Sequence, residues 1–160
     1  MLITISTDAS FSRKWSKGTY AFWIVCNEFR IMSSGVLRKG VDRPEIAEFQ
    51  CIINALHYFL TTERKSNVTK IIINTDCLNV IQLIGNDDVS KAAQKRWGLL
   101  KWGKPLRKIY YEFLHENNIK KELIEFRHIK AHQHTNTARN YVNQWCDDAA
   151  KAEMKKLLLT

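Results

Sequence analysis

Along the chain, apolar and polar positions fall into two kinds of pattern, and the boundaries between them mark out the elements. Leu2 to Ser10 (LITISTDAS) is rich in β-formers and closes on Asp8 and two small residues, which predicts a buried strand. Thr19 to Cys26 (TYAFWIVC) and Phe29 to Leu37 continue the β character on either side of Asn27 and Glu28. They predict an antiparallel hairpin added to the first strand. Lys39 and Gly40 break the pattern, and Pro44 suits the first turn of a helix. From about Pro44 to Thr62 the period changes. Ile46, Phe49, Ile53, Leu56 and Leu60 recur at steps of three and four, one stripe facing a sheet, with Glu48 at its edge.

The second half of the chain alternates strand and helix. Val68 to Thr75 is a continuous apolar run, as in a parallel strand covered on both faces. Cys77 to Ile84 predicts a short helix ending near Gly85. Ser90 to about Asn117 reads as mostly helical, with interruptions around Gly98, Gly103 and Pro105. Glu122 to Ile129 (ELIEFRHI) alternates as a fifth strand, and Lys130 to Arg139 is a polar loop with two histidines. A last helix runs from about Asn140 to Leu158, where Ala149, Ala150 and Ala152 permit close packing. The order β-β-β-α-β-α-α-β-α predicts an α/β fold, a mixed five-stranded sheet flanked by helices. With no repeat and no linker, residues 1–160 are expected to form a single domain.

Composition changes this picture little. At 45% hydrophobic and 26% charged, the chain is an ordinary globular one, and no stretch approaches the roughly 18 apolar residues of a membrane span. No signal peptide is expected. Cys26, Cys51, Cys77 and Cys146 are scattered without a C-x-x-C pair, which fits a reducing cytoplasm and no zinc site. Charge changes the picture more. The chain carries a formal +9, and between Val89 and Tyr111 it has seven basic residues and no acidic one, with Trp97 and Trp102 among them. A solvated helix face normally mixes signs, so this block predicts a polyanion as partner. The plainer reading is a basic helix with its tryptophans in the core.

Lys70 to Asp76 (KIIINTD) ends as the first strand does, on Thr-Asp. Asp8 alone reads as the start of a turn. Two buried strands that each deliver Thr-Asp to their carboxyl ends predict one site between them, where ligands collect on parallel strands. Glu48 can come alongside, and Asp147 in the last helix is the fourth acid, with Asp148 as its rival. Two carboxylates about 4 Å apart repel by roughly 4 kcal/mol at an effective dielectric near 20, so protons or divalent cations must neutralise such a cluster. Oxygen-only ligands select Mg²⁺ or Mn²⁺ over Zn²⁺. Two such ions would clamp the attacking and leaving oxygens of a phosphodiester.

TDAS around Asp8, EFQCIINAL from Glu48, INTD ending at Asp76 and NQWCDDAAKA around Asp147 together resemble type-1 ribonuclease H, over about residues 1–155. The resemblance implies a two-metal endonuclease that hydrolyses the RNA strand of RNA–DNA hybrids, leaving a 5′-phosphate and a 3′-hydroxyl. It implies Asp8, Glu48, Asp76 and Asp147 as ligands of two Mg²⁺ or Mn²⁺ ions. Asp147 is preferred to Asp148 because it follows Asn-x-x-Cys. Ile129 to His132 resembles the family's loop histidine, which helps move protons or release product; the longer spacing to Asp147 leaves His134 as a competitor for His132. Lys91 to Lys108 resembles the family's basic protrusion. There Lys91, Lys95, Arg96, Lys101 and Lys104 would neutralise phosphates of the DNA strand while Trp97 or Trp102 packs on sugar or base. About four phosphate contacts would give log affinity a slope near −3.6 against log salt. The protein is expected to act as a monomer on nucleic acid, away from membranes.

Departures bear on the substrate. The family often reads ribose 2′-hydroxyls with an asparagine before the helix glutamate and a glutamine two residues after the third acid. Here those places hold Arg43, Pro44 and Glu45, and then Leu78, and FSRKWSK replaces a glycine-rich turn. Contacts to the 2′-hydroxyl tell RNA from DNA, so phosphodiester cleavage carries over more firmly than hybrid specificity. Two further readings stand beside the first: a nuclease of the same fold acting on structured RNA or duplex DNA, and a non-catalytic nucleic-acid-binding protein.

Overall fold

The first strand, β1 (Leu2–Ser12), is the middle of a five-stranded sheet and has a different kind of neighbour on each side. On one side it pairs antiparallel with β2 (Lys17–Val25), which pairs antiparallel with β3 (Arg30–Val36) at the edge. On the other it pairs parallel with β4 (Lys70–Thr75), and β4 pairs parallel with β5 (Ile124–His128). The helices are α1 (Pro44–Leu60), α2 (Leu78–Ile84), α3 (Gly103–Glu116) and α4 (Ala138–Leu158). A 3-10 turn (Lys121–Leu123) leads into β5. This computed structural model describes residues 1–38, 40–61, 67–85, 101–130 and 137–159. Within them the mixed sheet and the element order are those expected from the sequence.

Alternation along the strands divides the core between two faces. Ile3, Ile5, Phe22, Ile24, Ile71 and Ile73 pack with Phe49, Ile52, Leu56 and Phe59 of α1 and with Leu106, Tyr110 and Leu114 of α3. On the opposite face, Ala21 and Trp23 pack against Cys146 and Ala150 of α4. β4 is buried on both sides, as its continuous apolar run predicted; even Ile72, on the second face, is buried. None of the described helices is long and apolar enough to cross a membrane. All four cysteines are free thiols.

Three features depart from expectation. β1 does not give out near Asp8. It runs on to Ser12 because β2 keeps pairing with it, Asp8 opposite Ala21 and Ser12 opposite Lys17. What ends there is the parallel ladder to β4, whose last pair is Ser6 with Asn74. In α1, the side that meets the sheet carries small residues beside the bulky Phe49, Ile52, Leu56 and Phe59. Cys51 Sγ donates to the backbone oxygens of Asp8 (3.3 Å) and Ala21 (3.4 Å), and Ala47 and Ala55, one turn to either side, are fully buried. Small side chains let a helix lie close to its neighbour, so Ile53 and Leu60 are displaced to half-buried flanks. The same rotation carries Glu48 from the edge of the stripe into the buried face, 8% exposed. Pro105, expected to interrupt a helix, sits in the first turn of α3, where its missing N–H has no intrahelical partner to lose.

Candidate active site

The register between β1 and β4 builds the site. It pairs Ser6 with Asn74 and, carried two residues further, sets Thr7 level with Thr75 and Asp8 level with Asp76. Both Thr-Asp pairs therefore emerge together at the carboxyl end of the parallel pair. Polar side chains lock the strands just below: Asn74 Nδ2 donates to Ser6 Oγ (3.4 Å), and Thr7 Oγ1 to the Asn74 carbonyl (3.5 Å). Glu48 arrives from α1, one turn beyond Pro44 at the helix start. The Ala9 N–H ties the two elements together by donating to Asp8 Oδ1 (2.9 Å) and to Glu48 Oε1 (3.2 Å). Asp8, Glu48 and Asp76 each bring a carboxylate oxygen within 4.8 Å of the others.

Asp147 reaches the same cavity, about 40 Å³, from α4. Its carboxylate is held by Lys151 Nζ at 2.8 Å, one turn on, and stands outside the three-carboxylate cluster. Asp148 is exposed and accepts a hydrogen bond from Gln144 Nε2 at 2.9 Å, so the structure separates the two neighbouring acids. Burial, helped by the charges of Asp76 and Asp147, pushes the Asp8 carboxyl up to about 8. Burial, then Asp8 and Asp76, holds Glu48 well above the usual carboxylate range. Glu48 Oε2 is buried with no hydrogen-bond partner among the described residues. A divalent metal ion fits these groups. The donors are all oxygens, they are mutually close, and one of them is a buried acceptor that the protein itself leaves unsatisfied.

Residues 2–155 match the sequence profile of the RNase H family. The chain belongs to the RNase H family. Membership makes it an enzyme of ribonuclease H type, a hydrolase. Solved structures share the fold at low sequence identity. LC11-RNase H1, isolated from compost and solved in complex with an RNA/DNA hybrid, superposes with a TM-score of 0.70 at 16% identity, covering 98% of this chain and 99% of that one. RNase H1 from the halophilic archaeon Halobacterium salinarum NRC-1 gives 0.60 at 14% identity, over 98% and 99% of the two chains. The N-terminal RNase H domain of a Mycobacterium tuberculosis protein gives 0.59 at 14%, over 98% of each. No curated protein sequence gives a match.

Of the residues expected to meet nucleic acid, Lys101 and Lys104 are exposed at the start of α3. Trp102 caps that helix, half-buried against the core, with the Arg43 guanidinium 4.9 Å from its ring centre. Lys91, Lys95, Arg96, Trp97, His132 and His134 lie outside the described residues. Leu78, at the first position of α2, is exposed. The residue after it, Asn79, donates from Nδ2 to Glu45 Oε1 at 3.3 Å and so joins α2 to the first turn of α1. Sequence reading missed Asn143 and Lys130, which line the cavity, and Lys151. Steps of four from Asn143 through Asp147 to Lys151 put these three on one helix face, and that spacing was the available signal.

Proposed function

We propose that this chain, acting as a monomer in a reducing cytoplasm, hydrolyses the RNA strand of RNA–DNA hybrids. Asp8, Glu48 and Asp76, with Asp147 beside them, would hold the divalent ions. The observation that carries the reading is the meeting of three carboxylates within 4.8 Å where the β1–β4 ladder ends, in a chain of this family. That LC11-RNase H1 is solved with an RNA/DNA hybrid supports the substrate. When bound, two Mg²⁺ or Mn²⁺ ions supply charge neutralisation and Lewis acidity for an in-line displacement that leaves a 5′-phosphate and a 3′-hydroxyl.

The chain's own groups bind and orient. The Ala9 N–H fixes one oxygen each of Asp8 and Glu48, and Lys151 holds Asp147 in place from the helix. His132, between β5 and α4 in the sequence, moves a proton or assists product release. Lys91, Lys95, Arg96, Lys101 and Lys104 grip the DNA strand, with Trp97 or Trp102 against it. The start of α3 supports a polyanion partner. Its first turn holds Lys104 and no acidic residue, an arrangement that opposes the helix dipole and gains nothing locally.

Glu45 and the exposed Leu78 stand where residues that read 2′-hydroxyls would be expected, which favours as a second reading the same site with looser substrate choice. A cleavage panel decides between them: hybrid, duplex RNA, duplex DNA and single strands, with Mg²⁺ and with Mn²⁺, for wild type and Asp76→Asn. The expected result is cutting of the RNA strand in the hybrid alone and none by Asp76→Asn. Equal cutting of duplex DNA or duplex RNA establishes the second reading. A wild-type protein that cuts nothing, and whose melting temperature is unmoved by metal, is a binding protein instead.

A further inference from the structure

The cavity beside Asp8 and Asp76 is walled by acids, with Asp147 on a third side. A phosphodiester brings only acceptor oxygens, so the cavity has to supply donors as well as cations. Lys130 stands at its exposed rim, and the Gln144 amide is committed to Asp148 at 2.9 Å. Asn143 differs from both. It lines the cavity, and its Nδ2 is buried without a hydrogen-bond partner among the described residues. A buried donor left unsatisfied is costly, and folded proteins keep few of them. Nor can the helix turn to relieve it. Three residues on, Cys146 is buried against β1 with its Sγ donating to the Ser6 carbonyl at 3.6 Å, and Thr19 Oγ1 donates to the Ala150 carbonyl at 2.7 Å.

We infer that Asn143 is a catalytic residue whose Nδ2 donates a hydrogen bond to a non-bridging oxygen of the phosphodiester being cut. The inference rests on the nuclease reading above. An amide suits the place better than a cation. A lysine or arginine there would pair with the three acids and weaken their hold on divalent ions, whereas an amide meets a phosphate oxygen without adding charge. Negative charge on the phosphate oxygens rises toward the transition state, so the bond strengthens as the reaction proceeds and its loss falls on kcat rather than KM.

The test compares Asn143→Ala and Asn143→Asp with wild type in cleavage of an RNA–DNA hybrid, in melting temperature, and in the rise of that temperature with Mg²⁺. Both variants are expected to lose about 10- to 100-fold in kcat, the worth of a hydrogen bond to a charged group. Asn143→Ala is expected to melt at or above the wild-type temperature, because it deletes an unpartnered donor and alanine favours helix. Its Mg²⁺-induced rise should match wild type, which separates a contact to substrate from a part in holding metal. Unchanged kcat in Asn143→Ala, a lower melting temperature, or a lost Mg²⁺ response each overturns the inference while the nuclease reading stands. A wild type that cuts no nucleic acid overturns both.

Discussion

Replacing Asp8 with asparagine is expected to make the metal-free protein more stable while it destroys function. Burial, with the charges of Asp76 and Asp147, raises the folded Asp8 carboxyl from an ordinary 3.8 to about 8. A folded state that holds its proton more tightly than the unfolded chain loses stability as pH rises between those two values. Below the lower value both states are protonated and nothing is lost. Above it the unfolded chain ionises freely and the folded one cannot. At about 1.4 kcal/mol for each tenfold in proton affinity, the loss reaches on the order of 5 kcal/mol by pH 8. Glu48, raised by burial and then by Asp8 and Asp76, steepens the same fall. Asparagine keeps an oxygen for the Ala9 N–H, now 2.9 Å from Asp8 Oδ1, and removes the charge. The assay is the thermal midpoint in chelator between about pH 5 and about pH 8. In a chain this long each kcal/mol moves the midpoint by roughly 2–4 °C, so Asp8→Asn should melt higher at pH 8 by on the order of 10 °C. Millimolar Mg²⁺ should restore the wild type, since ions bind only the folded form, and restore the variant far less. A wild-type midpoint that stays level or rises over that range in chelator, or a variant that melts lower at pH 8, would refute the reasoning.

Two further changes probe the parts that hold the cluster. Cys51→Leu overfills the close contact between α1 and β1 and should cost about 1–3 kcal/mol, seen as a lower urea midpoint, with cleavage falling as Glu48 moves away with its helix; an unchanged midpoint would show that the helix is not seated there. Lys151→Met removes the cation 2.8 Å from Asp147 and should tighten Mg²⁺ binding by calorimetry with little change in stability, because Lys151 is exposed. Unaltered affinity would mean that Lys151 does not compete with the ions.

The parts of the site readable from sequence were those set by strand register. Thr-Asp occurs at the ends of two apolar runs, and the β1–β4 pairing turns that repetition into adjacency. Glu48 was only half legible. The stripe through Ile46, Phe49, Ile53, Leu56 and Leu60 holds at Phe49 and Leu56, which are buried, but it leaves out Ala47, Cys51 and Ala55, which allow close approach. Periodicity shows that a helix has an apolar side, but which half of a broad apolar side lies innermost depends on helix–sheet distance. Asp147 was told from Asp148 in sequence only by its place after Asn-x-x-Cys, and the two separate in space because neighbouring residues on a helix point about 100° apart. Asn143 served in sequence only as the landmark Asn-x-x-Cys before Asp147, and its own role was not legible, since an unsatisfied amide is a property of its surroundings. The strand after Asp8 was misjudged for a related reason: small polar residues read as a turn, yet β2 supplies a partner for each of them.

These contacts share an axis. The two helices that deliver acids, α1 with Glu48 and α4 with Asp147, lie on opposite faces of the strand that carries Asp8. Each is fixed to that strand by a buried thiol: Cys51 donates to the Asp8 carbonyl from one face and Cys146 to the Ser6 carbonyl from the other. A thiol is a weak donor and a small, apolar side chain, so what it contributes is proximity rather than bond strength. Repulsion among the carboxylates is therefore opposed by helix packing on β1 and not by flexible loops. The acids cannot separate without unseating a helix, so burial first, and the neighbouring charges after it, act together to raise the proton affinity of Asp8 and Glu48. The same rigidity makes the cluster selective for a charge that can enter: a proton at low pH, a divalent ion when pH is high.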